Sequence, residues 1–422
     1  MKLWFHLLLC FPLIAFGQQA QRPSLNPIIF VHGFLASGDT WAHQLIRFKQ
    51  KGYYTNQLYV LDWNTTGDRK VAESKLLLLI QHALQQTGAS KVDLVGHSAG
   101  GSLCYSVLKD SLIAAKVGHY VHVGSNKIKS PAGNALQIPT LNIYSDDDKV
   151  LGGSDVIGAT NIHLVGLDHL EVATADTSFK AMFTFFSPIE LPTTVITLTK
   201  PMNFVTIGGR LVYMADNNPV QSAKIEVFLY DAKKGKRKST KALATVYPDS
   251  SGNWELYKIS TANFIEFVVT APDNRKITYY HEPFTTNDAT VYLRCLPQTG
   301  MAAKLLGALP TDDQQSVLAI FTATKAVIHG RDSLTVNGLN LSSAVLAPAS
   351  KTLIASFLFD DGDGITSGNA IKQFGAGVFL QAVDFFCKPV NNQFYDIYFN
   401  GKRMKIPAQP SKENISVVVF NN

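Results

Sequence analysis

Residues 91–100 read KVDLVGHSAG, and this stretch determines the fold predicted for the sequence around it. Residues 91–95 form an apolar run typical of a buried strand, and the chain after Gly100 continues with helical spacing. Between them, Gly96–Gly100 is a G-x-S-x-G motif, which requires a sharp strand–turn–helix that lifts a serine hydroxyl clear of a sheet. The flanking pattern meets that requirement, so Ser98 is the candidate nucleophile.

The sequence on both sides of this motif alternates short apolar runs with longer helical patterns. The runs are rich in Val, Ile, Leu and Tyr with little polar alternation, as expected for strands covered on both faces. The predicted strands are 27–31, 58–63, 91–95, 120–124, 140–144 and 161–165, and the predicted helices include 41–51, 71–86 and 100–112. Strand and helix in repeated alternation predict a doubly wound, mostly parallel sheet, so this region is of the α/β class.

A nucleophilic serine needs a histidine base and a carboxylate, and in folds of this kind the acid precedes the histidine along the chain. Asp146, Asp147 and Asp148 follow one predicted strand, and His169 follows the next. Because both loops leave the carboxyl ends of their strands, they belong to the edge at which Ser98 emerges. The spacing alone leaves the three aspartates open as the acid.

Two other histidines are weaker candidates for the base. His163 lies within a predicted strand, and His97 flanks the nucleophile in an unsuitable direction. The oxyanion of an acyl-transfer reaction should be held by two backbone N–H groups, one after the nucleophile and one after the first strand. These are the N–H groups of Ala99 and Phe34. This chemistry requires no metal and no cofactor, and we predict none.

Residues 27–186 resemble the small lidless α/β-hydrolase lipases of Bacillus. The motifs that carry the resemblance are Phe30–Gly33, 91–95 leading into His97-Ser98, Ile143-Tyr144-Ser145 with Asp148, and Gly166 with His169. The resemblance favours Asp148 as the acid of the triad. One departure is Gly96, where the Bacillus enzymes have alanine.

The hydrolase region leaves little room for a helical cap. Between Ser98 and Asp148, and again between Gly33 and Val60, the predicted helices and strands use most of the chain. We therefore expect an open site, walled only by loops such as 34–38 or by the C-terminal half.

The second half of the chain has a different pattern. Pro188, Pro192 and Pro201 mark a linker, and short alternating segments separated by turn residues follow it. They predict a β-sandwich or β-barrel region, with a few helical patches such as 375–386. The predicted strands include 224–230, 254–259, 264–270, 289–293 and 415–420.

Two resemblances concern this second half. Residues 209–295 resemble the transthyretin-like or carboxypeptidase-regulatory-like sandwich, through Gly209-Arg210-Leu211-Val212 and Ser251-Gly252-Asn253-Trp254. The layout of a small hydrolase before a long β-rich half is similar to archaeal lipases with a C-terminal lipid-binding β-domain. We predict a hydrolase domain over 24–190, a β-sandwich over 200–296, and a second β-rich domain over 297–422 for which this resemblance implies lipid binding.

The N-terminus has the pattern of a cleaved secretory signal. Lys2 precedes the apolar run Leu3–Phe16, and Ala15-Phe16-Gly17 offers small residues at the cleavage positions. The run is too short to span a bilayer comfortably. We predict a signal peptide over 1–17 and a secreted or periplasmic protein.

Composition limits the function classes. Hydrophobic residues make up 46% of the chain and charged residues 17%, which excludes a disordered protein. The net charge of +6 on 422 residues gives no support for nucleic-acid binding.

Two features of the second half stay uncertain from the sequence. Asp360–Gly364 is reminiscent of a calcium loop, but its register puts Phe359 at the first ligand position, so a hairpin turn is favoured. The sequence leaves open whether Cys295 and Cys387 pair.

The predicted function is a secreted serine ester hydrolase, a triacylglycerol lipase or carboxylesterase. Its partners would be a lipid or other ester substrate and, peripherally, a lipid surface, while the sequence does not specify the oligomeric state. The basic run 233–238 is either a solvated loop or a contact for an anionic surface. The alternatives are an extracellular polyester (polyhydroxyalkanoate) depolymerase and a non-catalytic binding or adhesion protein with a hydrolase-like domain.

Overall fold

The computed structural model describes residues 25–134, 137–187, 202–374 and 379–421. The predicted signal peptide lies outside the described residues. Among those that are described, no helix has both the length and the apolar composition needed to cross a membrane.

The hydrolase region is a parallel sheet flanked by helices. Its strands are β1 (Ile28–Val31), β2 (Leu58–Leu61), β3 (Val92–His97), β4 (Val117–Val123), β5 (Thr140–Ser145) and β6 (Thr160–Leu164). Its helices are α1 (Ala42–Gln50), α2 (Arg69–Thr87), α3 (Ala99–Val107), α4 (Ser111–Ala114), α5 (Glu171–Thr174) and α6 (Asp176–Phe186). These elements coincide closely with the predicted ones.

The described strands pair in the order β2-β1-β3-β4-β5-β6, all parallel. Residues of β1 are fully buried because helices cover both faces of the sheet, which explains the continuous apolar run. The order reverses next to β1, and in open α/β sheets the carboxyl ends of strands at such a point form a crevice for ligands. The predicted α/β class is confirmed.

The second half is built almost entirely of strands. They are β7 (Phe204–Tyr213), β8 (Lys224–Asp231), β9 (Lys236–Arg237), β10 (Ala244–Val246), β11 (Asn253–Ser260), β12 (Phe264–Thr270), β13 (Lys276–His281), β14 (Asp288–Cys295), β15 (Val317–Thr322), β16 (Leu334–Val336), β17 (Leu339–Asn340), β18 (Ala355–Phe359), β19 (Leu380–Asp384), β20 (Phe394–Phe399), β21 (Lys402–Pro407) and β22 (Asn414–Phe420). Among the described residues, one α-helix, α7 (Gly300–Leu306), and a short 3-10 helix, Lys372–Phe374, lie between them. The predicted β class of this half is confirmed.

In the described ranges these strands form three layers. The central layer is a mixed sheet in the order β10-β8-β12-β13-β22-β15-β18-β19, with β9 beside β8. The sheet β11-β7-β14 packs on one of its faces, and β17-β16-β20-β21 packs on the other. Neighbouring residues of one strand therefore enter different cores: Tyr279 belongs to the first core and Tyr280 to the second.

The last strand joins the two predicted C-terminal domains. β22 pairs in parallel with β13 on one side and with β15 on the other. The division at residue 296 stays a prediction, and the central sheet contains strands from both sides of it. The helical patch predicted at 375–386 is wrong over Leu380–Asp384, which pairs in parallel with β18 as a strand. Both faces of this strand are covered, since Ala382 belongs to the first core and Val383 to the second.

All three cysteines of the described residues, Cys104, Cys295 and Cys387, are buried free thiols. The pairing of Cys295 with Cys387, which the sequence left open, is not formed.

Candidate active site

Ser98 occupies the turn between β3 and α3. Its backbone has φ 53° and ψ −122°, a conformation that costs energy in a non-glycine residue and is typical of this motif. Its neighbours must be glycines because the backbone approaches closely: a Cβ on Gly96 would lie 2.6 Å from the Cα of Gly101. A Cβ on Gly100 would lie 2.4 Å from the carbonyl oxygen of Val31. The turn therefore packs Ser98 against the end of β1.

Asp148 and His169 form a buried pair. The Nδ1 of His169 lies 2.8 Å from the Oδ2 of Asp148, and both side chains are almost fully buried. The Oδ1 of Asp148 accepts the backbone N–H groups of Val150 and Leu151 at 2.9 and 3.1 Å. Burial alone would raise the pKa of Asp148. The hydrogen bond and charge of His169 and the two N–H groups outweigh burial and lower this pKa below its ordinary value of 3.8.

The neighbouring aspartates are placed differently. Asp146 pairs with His163 at 2.7 Å on the surface. Asp147 is also exposed, and its Oδ2 accepts the backbone N–H of Gly166 at 2.7 Å. Of the three aspartates, Asp148 is the one that the structure brings to His169.

His97 connects the Ser98 turn to His169. Its Nε2 lies 2.8 Å from the backbone carbonyl oxygen of His169, and the two ring centroids are 4.7 Å apart. The Nε2 of His169 is buried and has no hydrogen-bond partner among the described residues. The Nε2 of His169 is therefore free to take up a proton, and the His169 ring contacts His97, the residue before Ser98.

The two predicted oxyanion donors lie next to the turn. The N–H of Ala99 is at the first position of α3, where helical N–H groups have no partner within the helix. Phe34 follows Gly33, and a Cβ on Gly33 would lie 3.0 Å from the Cβ of Ser98. Within the described parts of the chain, neither N–H has a hydrogen-bond acceptor.

The candidate site is more enclosed than the hydrolase region alone would leave it, and its wall comes from the C-terminal half, one of the two sources that the sequence allowed. Ser98 is 6% exposed and His169 is 2% exposed. The ring of Phe379, which immediately precedes β19, stacks on the imidazole of His169 with centroids 5.9 Å apart and an interplanar angle of 27°. The cover comes from the β-rich half rather than from a cap inserted in the hydrolase fold, so the short connections of that fold gave no sign of it.

The same half holds the loop that carries His169. Arg331 donates to the carboxylates of Asp168 and Glu171, at 2.9 and 2.7 Å. The backbone N–H of Ala326 donates to Asp168 at 2.9 Å, and the hydroxyl of Thr174 donates to the carbonyl of Thr324. The loop of the candidate base is therefore fixed from outside the hydrolase domain.

Sequence reasoning missed Phe379, Arg331 and Asp168. Asp168 lies beside His169, and an acidic residue next to a candidate base was a signal that could have been followed. Arg331 and Phe379 stand in unremarkable loop sequence, and no motif marks a residue that acts across more than 150 positions.

The Asp360–Gly364 segment contains a cluster of acidic residues. The carboxylate oxygens of Asp360, Asp361 and Asp363 lie within 4.8 Å of one another. There Asp360 accepts the N–H groups of Gly362 and Gly364, as in a tight turn.

Several solved hydrolase structures show limited similarity to the chain. A mature lipase of Bacillus licheniformis, BlEst2, has 16% identity and a TM-score of 0.34, over 40% of this chain and 95% of that one. A predicted CIB-like hydrolase of Thermoplasma acidophilum has 17% identity and a TM-score of 0.30, over 39% and 86%. Est816, described as an N-acyl homoserine lactone degrading enzyme, has 14% identity and a TM-score of 0.31, over 38% and 93%.

Family models match two separate regions in the order that the fold predicts. Residues 25–115, which include β1, β3 and the Ser98 turn, match the class 2 lipase family. Residues 203–297, which include β7 to β14, match the lipase C-terminal domain. The chain is thus similar to class 2 lipases in its first half and to the lipase C-terminal domain in its second, and it is a carboxylic ester hydrolase of the lipase or esterase type.

Proposed function

We propose that the protein hydrolyses carboxylic esters of lipids through Ser98, His169 and Asp148. The observation that carries the proposal is the buried hydrogen bond between Asp148 and His169, on a loop that contacts the residue before Ser98. A carboxylate on Nδ1 holds the imidazole in the tautomer whose Nε2 accepts a proton. That nitrogen is the one without a partner among the described residues.

The proposed reaction proceeds in two halves. The Oγ of Ser98 attacks the ester carbonyl carbon while the Nε2 of His169 takes the hydroxyl proton. The N–H groups of Ala99 and Phe34 stabilise the oxyanion. Collapse of this intermediate breaks the bond to the alcohol, which leaves with the proton from His169. Water, deprotonated by His169, then attacks the acyl-enzyme and releases the carboxylic acid and Ser98.

We also propose that the β-rich half contributes to binding the lipid. The support is Phe379, an apolar side chain on the imidazole of the candidate base. We expect an acyl chain bound at Ser98 to lie beside this ring, because the ring stacks on the imidazole that would take the Ser98 proton. Secretion remains a proposal that the N-terminal run supports, and N-terminal sequencing of exported protein would test the cleavage after Gly17.

The decisive experiment is an ester chain-length profile of the full chain beside two serine variants. Ser98→Ala removes the proposed nucleophile, and we expect the hydrolysis rate to fall by about 10⁴-fold or more. Ser102→Ala, four residues further along α3, is the matched control and should keep wild-type rates. The substrates are p-nitrophenyl esters of increasing length, emulsified triolein and polyhydroxybutyrate.

The outcomes separate the alternatives. Cleavage of triolein and long esters that depends on Ser98 supports the lipase. Activity restricted to short esters supports an esterase, and activity restricted to the polymer supports a depolymerase. Hydrolysis that survives Ser98→Ala contradicts the mechanism, and the absence of hydrolysis in the wild type contradicts the function.

A further inference from the structure

Asn217 belongs to the region matched by the lipase C-terminal domain, yet its side chain is buried against the hydrolase domain. It stands in the turn after β7 with φ 59°, a left-handed conformation that asparagine tolerates better than most residues. Only 3% of its surface is exposed. A polar side chain buried this far must satisfy its hydrogen-bonding groups inside the protein.

The partners of the Asn217 side chain all lie in two hydrolase-domain segments. Its Nδ2 donates to the backbone carbonyls of Ala36 at 2.9 Å and Trp63 at 3.1 Å. Its Oδ1 accepts the hydroxyl of Ser37 at 2.5 Å. Its Nδ2 also lies 3.4 Å from the Nε2 of His32. Two carbonyls on one side and a hydroxyl donor on the other fix the orientation of the amide.

Along the chain, these contacts lie on both sides of Phe34, at His32 and at Ala36 and Ser37. Residues 32–38 form the loop that leaves β1 and carries this N–H past Ser98. Leu35 in the same loop has φ 57°, so part of the loop is held in a conformation that its own sequence disfavours. The hydrolase domain itself contacts this residue: the hydroxyl of Thr65 accepts the backbone N–H of Leu35 at 2.9 Å.

A second set of contacts from the same β region fixes the far end of the loop. The carboxylate of Asp62 accepts the N–H of Gly38 at 2.8 Å and the hydroxyl of Tyr292 at 2.6 Å, and pairs with Arg210. Arg294 donates to both carboxylate oxygens of Asp39 at 2.7 and 2.8 Å. The end of the loop is thus fixed independently of Asn217. In the middle of the loop, Asn217 contacts Ala36 and Ser37, beside the contact of Thr65 with Leu35.

We propose that Asn217 is a positioning residue that sets the oxyanion-hole loop, so that a residue outside the hydrolase domain governs stabilisation of the transition state. This inference rests on the proposed function. Donors in an oxyanion hole act only when they stand at the position of the developing charge. A loop released by loss of Asn217 would still bind the uncharged ester, while the Phe34 N–H would reach the oxyanion poorly.

The test uses the full chain with Asn217→Asp, Asn217→Ala and the control Asn218→Ala. Asn217→Asp keeps the size of the side chain and its acceptor for Ser37, but places an oxygen against the carbonyls of Ala36 and Trp63. Asn218 is the exposed neighbour of the same residue type. We measure kcat and KM on a p-nitrophenyl ester, inhibition by an alkyl boronic acid, and hydrogen exchange of the peptide covering 33–38.

The expected result for both Asn217 variants is a kcat lower by about 10- to 100-fold with little change in KM. Inhibition by the boronic acid should weaken in parallel, because its adduct with Ser98 is tetrahedral and anionic like the intermediate. Exchange in 33–38 should become faster, and Asn218→Ala should match the wild type in every measurement. Wild-type kcat in Asn217→Asp would overturn the proposal, because the donor bonds would then be dispensable.

Two further measurements keep the result decisive. Where Asn217→Ala does not fold, Ser37→Ala removes one of the same contacts from the hydrolase side and should also lower kcat. If neither the wild type nor Ser98→Ala hydrolyses any ester, the proposed function fails. The positioning role of Asn217 is then still tested by the rate of hydrogen exchange in 33–38. In that event, unchanged exchange of 33–38 in both Asn217 variants would overturn the positioning role by itself.

Discussion

His97 donates a hydrogen bond from Nε2 to the backbone carbonyl oxygen of His169 across 2.8 Å. The imidazole is neutral because burial, and then the nearby charge of His169, lower the pKa of His97 to about 3. A neutral ring has one N–H, and this geometry assigns it to Nε2. The residue before the proposed nucleophile thereby holds the backbone of the proposed base at a fixed distance.

Removing this bond should impair catalysis without impairing substrate binding. For His97→Phe, which keeps a ring but loses the donor, we expect kcat to fall by about tenfold while KM stays nearly unchanged. Steady-state kinetics on a soluble ester checks this, with the exposed His163→Phe as the control. A His97→Phe enzyme with the wild-type kcat would show that His169 is positioned by other contacts.

Buried neutral histidines should make the fold sensitive to mild acid. Burial lowers the pKa of His281 to about 3 and that of His122 to about 4, whereas their ordinary value is 6.5. Since the unfolded chain takes up these protons first, the stabilisation is complete above about pH 6.5 and is lost as the pH falls toward the folded-state values. The free energy of unfolding should therefore decrease between pH 6.5 and 4.

His281 provides the sharpest test of this pH dependence. Both of its ring nitrogens are buried without a partner among the described residues, and it stacks on Phe284 at 5.5 Å. His281→Phe should reduce the pH dependence of the free energy of unfolding by about 1.4 kcal/mol per pH unit between pH 6 and 4. Urea denaturation at pH 7, 6, 5 and 4 measures it. A variant with the wild-type pH dependence would mean that His281 is already protonatable in the fold.

Arg331 should be a main contributor to the attachment of the β-rich half to the His169 loop. It pairs with Asp168, Glu171 and Asp332, and the carboxylates of Asp168 and Asp332 are at most 3% exposed. Arg331→Met removes the cation from the buried carboxylate of Asp168, whereas Asp332 keeps its pair with Lys325. The change should lower the free energy of unfolding by about 3 kcal/mol. Urea denaturation at pH 7 gives the value.

The exposed pair of Arg403 with Asp396 supplies the control for this measurement. Arg403→Met should leave the free energy of unfolding nearly unchanged, because water screens an exposed pair. If both variants unfold at the same denaturant concentration as the wild type, the Arg331 cluster does not contribute to stability.

Phe379 should influence which esters are hydrolysed fastest. Its ring covers His169, so Phe379→Ala removes apolar surface beside the reacting carbonyl and opens the site to water. We expect the ratio of kcat/KM for long esters to that for short esters to fall by about tenfold. The exposed Tyr257→Ala, on β11, is the control. An unchanged ratio would place the acyl chain elsewhere.

Local patterns were enough to predict the hydrolase sheet and its candidate site. Apolar runs of five or six residues predicted the strands of this sheet. The central strands β1 and β3 are buried throughout, whereas the edge strand β6 is partly exposed. The glycines around Ser98 followed from close backbone approach. The sequence could not predict the role of Asn217, which reads as an ordinary turn residue in Asn217-Asn218-Pro219. Its partners are distant in the chain, and a polar contact of this kind has no periodicity.

The sequence indicated that any wall over the site had to come from loops or from the C-terminal half, but not which residue of that half supplies it. The short connections of the hydrolase fold exclude a cap of its own, and that inference holds for the segment between Ser98 and Asp148. The cover is supplied by Phe379, and its neighbour β19 was predicted as helix. A short strand covered on both faces lacks the regular alternation of apolar and polar residues that distinguishes a strand from a helix.

Under the proposed mechanism, the contacts of both candidate catalytic loops with the β-rich half have a consequence for how the chain is made. Ser98, Asp148 and His169 all leave the ribosome before Asn217, and well before Ala326 and Arg331. A nascent chain that ends in the linker would therefore already contain the three proposed triad residues. It would lack the contacts from Asn217, Ala326 and Arg331 that hold the Phe34 loop and the His169 loop in position. Hydrolytic competence would then arrive late in synthesis, after the last of these supports has folded against the sheet, rather than with the domain that performs the chemistry.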